Sequence, residues 1–112
     1  MKIKTQELTG AALDWAVAKY ADKHVSIGDI HWRNYSPSTN WAQGGPIIER
    51  EGIKIQKGNP LYFPKGNERG DYYEPLWIAG KMHGSTPLIA AMRCLVASKL
   101  GDKIEVPDEL IR

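Results

Sequence analysis

The spacing of apolar residues changes twice along this chain. From Gly10 to about Asp22, Leu13, Ala16, Val17 and Tyr20 recur at the three- and four-residue steps of one helix face. Thr9 stands where an N-cap belongs. Trp15 falls nearly opposite that face, so it either packs beneath the middle of the chain or meets a second subunit. The helical period returns from Pro87 to Leu100. Thr86 caps this segment, Pro87 takes its first helical position and Gly101 supplies the stop. Leu88, Met92, Leu95 and Val96 form its apolar face, joined by Ile89 and Leu100. Ala90, Cys94 and Ala97 make a second face of small residues, open to close approach by the chain's own sheet or by another copy.

Between these helices the period is lost. Eight of the eleven glycines lie from Gly44 to Gly84, which argues against a long regular helix and for short strands. Ile27 to Trp32 predicts one strand. Ile47-Ile48-Glu49 and Gly52-Ile53-Lys54-Ile55 predict a hairpin around Arg50-Glu51. Leu61-Tyr62-Phe63, set between Pro60 and Pro64, predicts an edge strand. Leu76 to Ala79 predicts another. Lys57-Gly58-Asn59 and Lys65-Gly66-Asn67 read as two surface turns, and Pro107 opens a short last turn. The expected fold is a single α+β domain over residues 1–112, a small antiparallel sheet flanked by an N-terminal helix and a longer C-terminal one.

A length of 112 residues suits one domain. Fifteen basic against thirteen acidic side chains leave a net charge of +2, too weak a bias to indicate nucleic acid. The single cysteine, Cys94, forms no internal disulfide, which fits a reducing cytoplasm. The longest apolar-rich run, Leu88 to Val96, contains Arg93 and is too short to cross a bilayer. No apolar stretch follows the basic Met1-Lys2-Ile3-Lys4 start, so the expected location is cytoplasmic.

Catalytic chemistry has little support. His24, His31 and His83 lack the spacing of a helical zinc site and have no cysteine partners, so neither a metal nor a cofactor is expected. Cys94 sits mid-helix among apolar neighbours, as inert buried thiols do. Glu49 and Glu51 would share a face if they lay on a strand, and Asp71 and Glu74 form a second carboxylate pair. A solvated charged surface is the better explanation of both pairs.

The positive signal is aromatic and polar crowding in the middle of the chain. Eight of the ten aromatics fall between Trp32 and Trp77. From Tyr35 to Glu49 the chain reads Tyr-Ser-Pro-Ser-Thr-Asn-Trp-Ala-Gln-Gly-Gly-Pro-Ile-Ile-Glu, and few of these residues serve a core. The pattern predicts a surface site in which Tyr35 and Trp41 stack on a flat ligand. Ser38, Thr39 and the Gly44-Gly45 backbone would donate hydrogen bonds, while Arg50 and Arg93 would meet an anionic group. In the competing reading Trp41 is a lid on the core and Gly44-Gly45-Pro46 merely turns into a strand.

Three segments also resemble the NinX family of small phage proteins. They are Leu8 to Ala18, Tyr35 to Glu49, and Thr86 through Asp102 with Val106 to Leu110. The stretch Lys57 to Glu74 aligns least. The resemblance implies a phage accessory protein acting in the host cytoplasm, and it transfers no catalytic residue. By analogy with other small phage proteins, the expected function is non-enzymatic sequestration of a nucleotide-derived host immune signal by a homo-oligomer. The alternatives are a protein-binding inhibitor or accessory factor, and a small hydrolase using Glu49 or His83.

Overall fold

The computed structural model describes residues 1–21, 24–31, 34–63 and 72–111. In chain order it comprises β1 (Lys2–Lys4), α1 (Gly10–Ala21), α2 (Ile27–His31), α3 (Trp41–Glu51), β2 (Gln56–Lys57) and β3 (Leu61–Phe63). There follow β4 (Tyr72–Glu74), β5 (Trp77–Ala79), β6 (Met82–Gly84), α4 (Pro87–Leu100) and β7 (Lys103–Glu105). Short 3-10 turns stand at Thr5–Glu7 and Asp108–Leu110. The fold is α+β, as its sequence predicts. The strands form three small antiparallel sheets: β1 with β7, β2 with β5 and β6, and β3 with β4.

α4 is the central element, and its termini follow from the sequence. The Thr86 hydroxyl accepts the Ile89 N–H at 3.2 Å, and the Gly101 N–H closes the last turn on the carbonyls of Val96 and Ala97. Leu88, Ala90, Ala91, Met92, Leu95 and Val96 are all buried, so the helix is apolar on two sides. One side meets Leu13, Ala16 and Val17 of α1 and Ile47 of α3. The other lies under the β5–β6 hairpin, where a β-carbon on Gly84 would stand 2.8 Å from the Ala90 nitrogen. At Ala90 and Cys94 the small-residue face of α4 therefore lies against the chain's own hairpin. Trp15 packs half-buried against the core, with the Lys19 ammonium 4.7 Å above its ring. Trp15, Cys94 and Ala97 each remain partly exposed beside these intramolecular contacts.

β1 and β7 tie the chain ends together, with Ile3 opposite Ile104. Buried Thr5 secures this join. Its N–H donates to the Asp102 carbonyl at 2.7 Å and its hydroxyl to the Gly101 carbonyl at 2.6 Å.

Several sequence expectations are corrected. Ile27 to His31 is a short helix, started by a reciprocal cap in which the Asp29 carboxylate accepts from the Ser26 N–H and hydroxyl. Trp32 lies outside the described residues, as do the Lys65-Gly66-Asn67 turn and Asp71. Ile47-Ile48-Glu49 belongs to α3, so the predicted hairpin around Arg50-Glu51 does not form. Tyr20 and Leu100 are exposed rather than core, and the Lys99 ammonium lies 5.3 Å from the Tyr20 ring. β1, β6 and β7 carry too few residues to show a strand period on their own.

Candidate functional site

The aromatic- and glycine-rich segment is a buried turn followed by a helix. Asn40 caps α3, its side-chain oxygen accepting the Ala42 N–H at 2.9 Å. Three residues on, the Gln43 amide reaches back to the preceding loop, accepting from the Ser36 N–H and donating to the Asn34 carbonyl at 2.9 Å. Gly52 ends the helix in the left-handed conformation, at φ 65°, where a side chain would be strained.

Pro46 lies inside α3. With no N–H, it leaves the Ala42 carbonyl without its usual helical donor. Ala42 and Pro46 are both exposed, and the helix continues through them to Glu51.

The turn before the helix is core. Ser36, Pro37 and Ser38 are buried, and the Ser38 N–H donates at 2.9 Å to Asp14, a carboxylate only 1% exposed on α1. The Ser38 hydroxyl is buried without a hydrogen-bond partner among the described residues. Asp14→Ala would orphan the Ser38 N–H and is expected to cost about 2 kcal/mol of stability. Asp14→Asn keeps an acceptor and should cost less than about 1 kcal/mol. Equilibrium denaturation of the two variants checks the difference.

The predicted ligand residues do not converge. Gly44 packs against the Pro37 carbonyl and Leu88, and its N–H donates to the Asn40 carbonyl at 2.8 Å. Gly45 is inside the helix, where its N–H belongs to the backbone ladder. Ser38 faces the core, while Tyr35 is half-buried. The Thr39 hydroxyl stands 3.5 Å from the Ser36 carbonyl, a long contact at the edge of the turn.

Trp41 and Arg50 sit at opposite ends of α3. Nine positions separate them, which is half a turn out of phase and about 13 Å along the axis. Arg50 instead lies 3.2 Å from Glu51, which also meets the Lys99 ammonium at 3.5 Å. These cations hold the Glu51 carboxyl below its ordinary value, the Arg50 hydrogen bond contributing most.

Arg93 serves the fold. Its guanidinium donates to the Leu8 carbonyl at 2.9 Å and the His83 carbonyl at 2.8 Å, joining the start of α1 to β6. Burial pulls its pKa down. Arg93→Met is expected to lower stability by about 1.5 kcal/mol and to leave any ligand or partner affinity unchanged in the folded protein. Parallel melting and binding measurements check this.

The residues considered for acid–base work are also apart. Glu49 and Glu51 lie two positions apart on a helix, hence on different faces, so the shared face expected of a strand is lost. His83 is bracketed by Gln6, whose amide contacts Nδ1 at 3.2 Å, donates to the His83 carbonyl at 2.8 Å and accepts the His83 N–H at 3.1 Å. Among the described residues, no group of three His, Cys, Asp or Glu side chains is placed to hold a metal ion. No described helix is long and apolar enough to cross a membrane.

What the segment does present is the outer face of α3. Trp41 is 56% exposed, and Ala42, Pro46 and Glu49 are exposed beside it. Gly45, half-exposed, leaves the surface flat between them, since a β-carbon there would meet nothing within 4 Å.

This helix and its turn lie inside a segment, residues 4–99, that matches the family model for bacteriophage P22 NinX. The chain belongs to the NinX family. The matched span takes in α1 through nearly all of α4, including every residue expected at the site, and stops before β7. No curated protein matches the chain. In this family member the Tyr35 to Glu49 segment has two structural roles: its turn fills the core beside Asp14, and its helix leaves one aromatic face in water.

Proposed function

We propose that this phage accessory protein is a non-enzymatic binding factor that docks a protein partner on the outer face of α3 in the host cytoplasm. The observation that carries this reading is the position of Trp41. It stands on a helix anchored by Asn40, Gly44 and Ile47, yet more than half of its indole remains in water. Trp is enriched among the residues that dominate binding energy at protein interfaces. A flat surround of Ala42, Gly45 and Pro46 permits close approach of another surface.

An anti-defence role, with a host enzyme as the partner, fits an accessory gene of a phage. The same exposed indole also suits stacking on a nucleotide base, so sequestration of a nucleotide signal is the second reading. It has less support, because Arg50 and Arg93 are directed elsewhere and the Gly44 N–H is already engaged.

Photocrosslinking amino acids at Ala42 and Glu49 test the docking face in host cells, with Lys103 as a control position. The expected result is one discrete adduct from positions 42 and 49, absent from 103 and lost in Trp41→Ala. Adducts of equal yield from all three positions would overturn the reading. Intact nucleotide released from the purified protein by heat, without a protein adduct, would replace it with sequestration. Converted nucleotide would indicate an enzyme.

A further inference from the structure

A second feature lies away from the α3 face and does not depend on its function. A cavity of about 340 Å³ opens between the C-terminal half of α4 and the turn joining β5 to β6. Cys94, Ala97 and Ser98 of α4 line it, facing Gly80, Lys81 and Met82 of the turn, with Asp102 beyond the helix end. It exists because both elements present little bulk. Gly80 takes φ 58° at the turn, and a β-carbon there would come within 3.0 Å of the Cys94 sulfur. Ala97 leaves the next turn of helix equally low. The result is a recess in the small-residue face that the hairpin covers only in part.

Its walls are mostly apolar and soft. The Met82 thioether and the Cys94 thiol are polarizable groups that favour contact with aromatic rings. Burial pushes the Cys94 thiol up, so the sulfur stays neutral near pH 7 and acts as part of the wall. Lys81 and Asp102 are exposed, and neither forms an ion pair among the described residues. An apolar recess with a few polar groups, in the volume range of small-molecule sites, is the ordinary form of a ligand pocket. A dry apolar cavity of roughly 150 Å³ accommodates one benzene ring. This one has room for two fused rings.

We propose that this cavity binds a planar aromatic molecule of one or two rings bearing an anionic group. The rings lie against Met82, Cys94 and Ala97, the anionic group meets the Lys81 ammonium, and a ring N–H or O–H reaches Asp102 or Ser98. The site is distinct from the Trp41 face, and the two are tested by different residues.

The probe is 2-naphthol-6-sulfonate, a fluorescent two-ring molecule with one anionic group and one ring O–H, read by fluorescence titration of the full chain. The expected result is saturable binding of one probe per chain that slows alkylation of Cys94 by iodoacetamide at alkaline pH. Ala97→Trp, which fills the recess, should abolish binding. Lys81→Gln, at an exposed position that does not bear on folding, should weaken it about tenfold, as loss of one charge-assisted contact does. Trp41→Ala should leave it unchanged. Non-saturable binding, Cys94 alkylation at an unchanged rate, or full affinity in Lys81→Gln would each overturn the proposal. The Lys81 result stands even if Ala97→Trp does not fold.

Discussion

Trp41→Ala is expected to leave the protein folded while weakening capture of its partner by about thirty- to a hundred-and-fiftyfold, the effect of losing roughly 2–3 kcal/mol at an interface hot spot. The stability side of this prediction follows from exposure. Complete removal of a buried Trp side chain costs about 3–5 kcal/mol. The Trp41 side chain is 56% exposed, and its helix is held independently by the Asn40 cap and by Gly44 and Ile47. The expected stability loss is therefore at most about 1 kcal/mol. The binding side follows from what the face contains. Ala42, Gly45 and Pro46 supply flatness but little area, so the indole carries most of the apolar surface available to a partner. Melting temperature and dissociation constant, measured on the same variant with the crosslinked partner, separate the two effects. A collapse in melting temperature, with binding lost only in proportion, would show that Trp41 is a lid on the core. The same variant tests the nucleotide reading, since a base stacked on the indole would lose about 1–3 kcal/mol.

The adjacent glycines are expected to respond to alanine in opposite directions. Gly44→Ala should destabilise the protein by about 3 kcal/mol, and Gly45→Ala should stabilise it by about 0.5–1 kcal/mol. A β-carbon at Gly44 would stand 2.4 Å from the Pro37 carbonyl oxygen and 2.6 Å from Leu88. The first of these is backbone, held in place by the turn that buries Ser36 to Ser38, so it cannot rotate aside. Overpacking of this kind outweighs the helix propensity that alanine contributes. At Gly45 a β-carbon meets nothing within 4 Å, and only the propensity gain remains. For a chain of this length the Gly44→Ala loss corresponds to a fall in melting temperature on the order of 10–20 °C. A Gly44→Ala variant as stable as the parent would mean that Pro37 and α3 do not approach as described. A Gly45→Ala variant with unchanged stability but altered partner binding would extend the docking surface across that position.

The misreading of Tyr35 to Arg50 has a specific cause. Two glycines and a proline within three positions outweigh the helix signals on either side of them. Yet those signals are present. Asn40 followed by Gln43 is the pattern of a helix start that caps itself, and Gly52 stands where a helix stops. Between them Gly44, Ile47 and Glu51 recur at helical spacing. Weighing termini above composition would have recovered α3. Placing Glu49 and Glu51 on it would have removed the paired-carboxylate reading, and placing Trp41 and Arg50 on it would have set them apart. The coupling of Asp14 to Ser38 had no such signal, because residues 24 positions apart on different elements leave no local pattern.

The sequence by itself determined α1 and α4, the caps of α4 at Thr86 and Gly101, the α+β class and the phage family. These rest on local rules: periodicity over several turns, side chains that satisfy the first free N–H groups of a helix, and motifs spread along the chain. Only the tertiary structure decided which surfaces remain open. Whether the small-residue face of α4 meets the chain's own hairpin or another copy depends on where β5 and β6 come to lie. Whether Gly44 cradles a ligand or admits Pro37 depends on the path of a turn held from α1 by a buried carboxylate. Such outcomes are set by contacts between segments far apart in the chain, whose steric and hydrogen-bonding demands are satisfied only when the whole core closes.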